Sequence, residues 1–310
     1  MDLFKIISDI EKVDPEVYDR FDTRRRVFKH ISGMGKAVTA ATLPGLLGTM
    51  FNKAYGQSSN LSTEIVQTLN LALQLEYLEY HYYDTGLKTS GLIPSADIPA
   101  ITIIRDDELG HINALRAVLG SQAFSPNDPT RAAFDYTAGG KLPDPFANSA
   151  NFYGTGQAFV DTGVRAYKGG APSLMSNKAI LTAALNIHSV EARHSSHLRL
   201  LRRGGVSATA DVTNLNAKPK SWISGTDNGG PVPAVTAPVY GAGSDANHPA
   251  ESNVTQANIN VQTSSTAPTG LTITAAAASE AFDEPLDAAA VKAIARNFRS
   301  AVGATAGLFN

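Results

Sequence analysis

The chain contains no cysteine among its 310 residues. That excludes disulfides, iron-sulfur clusters and thiolate zinc sites, and leaves histidine and carboxylate as the strong metal ligands. It also lacks an excess of one charge: 26 Lys and Arg stand against 28 Asp and Glu, a formal net charge of -2. No long basic cluster occurs outside the N-terminal region, so the surface that neutralises phosphates is missing and no nucleic-acid partner is expected. A long uninterrupted apolar run is absent as well. The stretch from Ile31 to Phe51 comes nearest, but Gly33, Gly35, Lys36, Pro44 and Gly45 break it, so no stable transmembrane segment is expected. What remains is globular in composition, 43% hydrophobic and 17% charged, with enough chain for one sizeable core plus appendages.

Residues 1–56 read as an N-terminal helical leader. Leu3, Ile6, Ile7 and Ile10 fall at helical spacing before Asp14-Pro15 stops the pattern. Then come the basic stretch Thr23-Arg24-Arg25-Arg26-Val27-Phe28-Lys29, the weakly apolar run, and the triplet Ala54-Tyr55-Gly56. That order resembles a twin-arginine export signal cleaved after Gly56, which implies a periplasmic or extracellular destination. A basic helix start leading into a structural helix is the other reading of the same residues.

Residues 57–204 carry four helical patterns. The first runs from Leu61 to Gly86, with Ser62 or Thr63 near Glu64 at its start. A second runs from about Asp97 to Gly120, with Pro99 in its first turn. Residues 121–148 hold four prolines and Gly139-Gly140, and form a long connection. A third helix spans about Ser149 to Lys168 before Gly169-Gly170-Ala171-Pro172, and a fourth runs from near Ser173 to Arg203. The expected fold class is an all-α core, a four-helix bundle. Residues 205–310 shift to Ala, Thr, Asn, Ser, Gly and Pro and predict little core. Irregular loops, short strands over the bundle and mobile polymer all fit this extension. Its last helix is expected over about Pro285 to Val302, presenting Leu286, Val291, Ile294 and Phe298.

Chemistry concentrates in the helices. Glu108-Leu109-Gly110-His111 sets a carboxylate and an imidazole one turn apart, and Glu191-Ala192-Arg193-His194 repeats the arrangement. Each pair lies in an apolar stripe, so both aim inward. Glu76 faces the core of the first helix, and Glu79 lies three residues on and could join it. Asp161 is the one acid of the third helix. Each helical hairpin thus carries a carboxylate and, about 30 residues later, a Glu-x-x-His, the ligand order of carboxylate di-iron and di-manganese bundles. Buried acids left ionised cost several kcal/mol apiece, roughly, and two divalent cations remove that cost. The candidate ligands of two Fe or Mn ions are therefore Glu76, Glu108, His111, Asp161, Glu191 and His194. The alternative for Asp161 is a surface pair with Arg165, four residues on. His188 and His197 are expected to support the site or lie at the surface, and the Tyr80 to Tyr83 cluster to pack in the core.

At Leu69-Asn70-Leu71-Ala72-Leu73-Gln74-Leu75-Glu76-Tyr77-Leu78-Glu79, Glu108 to His111, Gly163 to Ala171 and the helix around Glu191, the sequence resembles the ferritin-like domain family. That family includes desiccation-related proteins of plants and bacteria, and the resemblance implies a ferritin-like bundle and a link to stress. Two functions follow as expectations. One is redox chemistry at the di-metal centre, either ferrous iron oxidation or peroxide removal. The other is a non-catalytic, stress-protective scaffold that forms homo-oligomers through the bundle or the extension. The long extension argues against a closed storage cage.

Overall fold

A computed structural model describes residues 61–124, 128–205, 219–263 and 272–310. The expected leader and export signal lie outside these residues. Helix α1, Thr63–Lys88, begins where the Ser62 hydroxyl accepts from the Ile65 amide at 3.3 Å, with Glu64 placed against the positive end of the helix dipole. Helix α2, Ile98–Leu119, carries its proline in the first turn, where the missing N–H costs nothing, and stops at Gly120 with φ of 54°. Asn148 and Asn177 cap α3, Ser149–Gly170, and α4, Lys178–Arg202, through their side-chain oxygens. α1 packs along α2 and α3 along α4, and α1 against α3 joins the two hairpins. The core includes Leu69, Leu73, Ile101, Leu115, Val160 and Ile187. Among the described residues no helix is long and apolar enough to cross a membrane.

The extension is mostly irregular, as expected, but it supplies more of the core than its composition suggests. Among its described residues it carries α5 (Pro233–Tyr240), a hairpin of the two-residue strands β1 (Thr255–Gln256) and β2 (Ile259–Asn260), α6 (Ala275–Ser279), α7 (Ala288–Ala295) and α8 (Ala301–Thr305), besides short 3-10 turns. The helix expected over Pro285 to Val302 is split. Asp287 caps α7, the chain turns extended at Arg299, which bridges Phe134, and Ser300 caps α8. Leu286, Val291, Phe298, Leu308 and Phe309 join the main hydrophobic core, each worth about 1.5–3 kcal/mol of burial. Helix α3 runs through Gly169 and Gly170, where a break was expected. A β-carbon at Gly169 would lie 2.0 Å from the Leu286 carbonyl oxygen, so glycine there lets the extension close on the bundle.

The second anchor is Arg165, which is fully buried. Its guanidinium donates to the carbonyls of Val239, Gly241, Pro249, Glu284 and Pro285, at 2.6 to 3.2 Å, and pairs with Glu251 at 2.9 Å. Burial pushes the Glu251 carboxyl up, against the pull of Arg165. Arg165 is thus committed to the extension, and the surface pair with Asp161 that stood as the alternative reading is not formed.

Candidate metal centre

Midway along the bundle, ligand atoms of Glu76 from α1, Glu108 and His111 from α2, and Glu191 from α4 lie within 4.8 Å of one another, all buried. The i, i+3 spacing of each Glu-x-x-His puts both side chains on the inward stripe, as the sequence required. His111 Nδ1 stands 3.0 Å from Glu76 Oε2, 3.1 Å from Glu108 Oε2 and 3.3 Å from Glu191 Oε1. His194 brings Nδ1 to 3.1 Å from Glu108 Oε1 and 3.8 Å from Glu191 Oε2. Its other nitrogen, Nε2, is 3.1 Å from Asp107 Oδ2, a partner that fixes the ring with Nδ1 facing the cluster. Tyr167 of α3 donates its hydroxyl to Glu76 Oε1.

Asp161 is not part of this group. It is buried, but Oδ2 pairs with Arg199 Nη2 at 2.5 Å and accepts from the Tyr240 hydroxyl at 2.7 Å, while Oδ1 accepts from Ser195 Oγ at 2.6 Å. Arg199 also reaches Asp227 at 3.1 Å. The inward direction of Asp161 was right and its company was not. Besides Tyr167, α3 turns Gly163 toward the cluster, where a β-carbon would stand 3.3 Å from both Glu191 Oε2 and Glu79 Oε1. Glu79 therefore fills the space that a side chain on α3 would have taken. It is 4% exposed, and its face was the part of α1 that periodicity left ambiguous.

The electrostatics are those of crowded, buried charge. Burial, with Glu191 and Glu108 nearby, pushes the Glu76 carboxyl up to about 8 despite His111. Burial and the other three acids push Glu79 well above the carboxylate range. Burial also opposes charge on the imidazoles, but Glu76 holds His111, and Glu108 holds His194, well above the usual range. Glu108 lies below its ordinary value: burial acts upward, and the two histidines outweigh it.

Hydrogen bonding leaves much of this cluster unsatisfied. Among the described residues, Glu79 Oε2, Glu108 Oε1, both Glu191 oxygens, His111 Nε2 and His194 Nδ1 have no partner in hydrogen-bond geometry. The 3.1 Å approach of His194 Nδ1 to Glu108 Oε1 is close but misdirected. Buried polar atoms without partners cost about 1–3 kcal/mol each, and a cation held by the converging Glu76, Glu108, His111 and Glu191 would offset part of that cost. The oxygen and imidazole ligands suit Fe or Mn.

The remaining candidates lie apart from the cluster. His188 Nδ1 bonds the Val164 carbonyl at 3.0 Å, and His197 is half-buried on α4. Tyr82 packs as expected, stacked on Phe152 with its hydroxyl on the Phe152 carbonyl. The chain therefore carries a buried Glu/His cluster, able to bind metal, in the middle of a four-helix bundle. No curated protein and no solved structure matches it. Residues 64–203, the span of the four helices, match the family model of the ferritin-like domain.

Proposed function

We propose that the bundle holds two divalent ions, Fe or Mn, between Glu76, Glu79, Glu108, His111, Glu191 and His194, and uses them for redox chemistry on ferrous iron or peroxide. The observation that carries this reading is the set of buried, unpartnered oxygens and nitrogens converging from α1, α2 and α4. Charge supports the number of ions: four carboxylates balance two divalent cations, with neutral imidazoles completing the shell. When bound, such ions supply electron transfer to or from oxygen species.

The protein's own residues do the rest. Asp107 sets the His194 ring, Tyr167 holds one oxygen of Glu76, and Gly163 keeps α3 close without a fifth acid. Full burial of Glu108 and His111 excludes bulk water from the ligands.

Elemental analysis of protein purified without added metal is the first test, followed by anaerobic Fe(II) titration and exposure to oxygen or peroxide. About two ions per chain with an oxidant-dependent absorbance change supports the reading. A folded protein that takes up no metal in the titration overturns it in favour of a non-catalytic scaffold.

A further inference from the structure

Where α1 and α3 meet the stretch from Leu286 to Val291, the fold leaves a cavity of about 250 Å³. Leu69, Leu75, Ala184, Leu286 and Val291 face it, each 5% exposed or less. Its room comes from small residues, Ala72, Ala166, Gly169 and Gly170. The mouth is different in character: Thr68, Ser173, His248 and Asp287 are partly exposed there, beside the exposed Ala288. Thr68, Leu71, Ser173 and Ala288 also belong to an open groove that continues along α1 past Gln67 and Asn70. The inner wall includes Tyr167, whose hydroxyl bonds Glu76. Tyr167 therefore touches both the cavity and the acid cluster.

We propose that this cavity binds the aliphatic chain of a small neutral amphiphile, with the chain against Tyr167 and the polar end at the mouth. Apolar cavities of on the order of 150 Å³ already take up hydrocarbons such as benzene, and this one is larger. A charged group has no counter-ion among the aliphatic floor residues and would be strongly disfavoured there. An anionic head is disfavoured for a further reason. Asp287 stands at the mouth and Glu64 in the groove, while Lys292, the groove's cation, is bonded to the Asn310 carbonyl. Among the described residues, an anionic head would meet two carboxylates, while the nearby cations are engaged: Lys292 by that carbonyl and His248 by Asp245 at 2.8 Å. Asp287 itself is occupied, capping α7 and accepting from the Ser244 amide, so Thr68 and Ser173 supply the hydroxyls that meet the head. The extension is part of the binding site, since Leu286 and Val291 lie beyond the span matched by the ferritin-like domain model.

The binding claim needs no metal; its link to the metal centre rests on the function proposed above. The test uses the full chain, metal-free and Fe-loaded, with a neutral dansyl-alkylamide probe displaced by 1-decanol or decanoate. We expect saturable binding at one site, with decanoate weaker than decanol by about tenfold or more. Ala72→Phe fills the interior and Ala288→Trp blocks the exposed mouth, and each should weaken binding by a similar factor. Ala288→Trp alters no buried residue, so it answers the question even if Ala72→Phe fails to fold. In the Fe-loaded protein decanol should shift the metal absorption, and Tyr167→Phe should abolish that shift while retaining the alkyl site. Absence of saturable binding, or binding undiminished in Ala288→Trp, overturns the proposal. Tighter binding of decanoate than decanol overturns the neutral head. Alkyl binding in a chain that takes up no metal keeps the cavity and removes the di-metal reading, and metal uptake without alkyl binding does the reverse.

Discussion

Asp161 and Arg199 form a buried ion pair, 2.5 Å apart with neither side chain exposed, where α3 faces α4. Ser195, Tyr240 and Asp227 close the network around them. The pair is structural, so Asp161→Asn should leave the metal content unchanged and lower stability by about 3 kcal/mol. Urea unfolding and elemental analysis on the same preparation check both halves. A loss of metal without a loss of stability would return Asp161 to the ligand set.

Glu79 gives the opposite pattern. Burial shifts its carboxyl toward the neutral form, so Glu79→Gln should change the thermal midpoint of the metal-free protein little. Metal content should fall from about two toward about one per chain, because an amide brings no charge to the site.

Gly163→Ala separates the helix from the site. Alanine favours an α-helix over glycine by about 1 kcal/mol, and the atoms its β-carbon would meet at 3.3 Å are the carboxylate ends of glutamate side chains, not backbone. The metal-free protein should keep its stability or gain up to about that amount. Metal affinity, read by competition with a chelator, should fall about tenfold or more as Glu79 and Glu191 are displaced.

Metal uptake should release protons. In the metal-free protein Glu76 and Glu79 are shifted toward the neutral form, and His111 and His194 toward the charged form. Two divalent ions would displace protons from this cluster near pH 7. The neighbours that set this balance come from three other helices: His111 and Glu108 on α2, Tyr167 on α3, and Glu191 on α4. Because Glu76 is raised to about 8, protons compete with metal below that pH, and affinity should climb from pH 6 to 8. Calorimetry in buffers of different ionisation enthalpy counts the protons. A pH-independent affinity would mean the acids are already ionised.

We propose that Arg25 and Arg26 direct export of the chain. Changing both to lysine should retain the protein in the cytoplasm of a bacterial host, as seen by fractionation. Unchanged delivery would favour the reading of this stretch as a structural helix start.

The four helices were legible because their interiors keep helical spacing and Ser62 caps the first, whereas the start of the fourth was read near Ser173 and lies after its Asn177 cap. Glu76, Glu108, His111, Glu191 and His194 were legible for the same reason, since spacing fixes the face. Spacing does not fix height along the bundle. Asp161 was read as inward, and it is, but it lies level with Ser195 and Arg199, not with Glu191. The signals for Glu79 were present, an acid one turn after Glu76 and a glycine at position 163, but linking them needs the pairing of α1 with α3. The role of the extension was hidden for another reason. It holds Arg165 with backbone carbonyls, which every residue possesses and no composition reveals.

That guanidinium also bears on where this protein can be divided. A fragment cut at 64 and 203 would preserve the helices, the matched span and every proposed metal ligand. It would also strip Arg165 of every partner named for it, leaving a bare cation on an oily α3 surface beside the uncovered Leu286 contact at Gly169. The span matched by the ferritin-like domain model and the span that partners the buried Arg165 are therefore different lengths of chain.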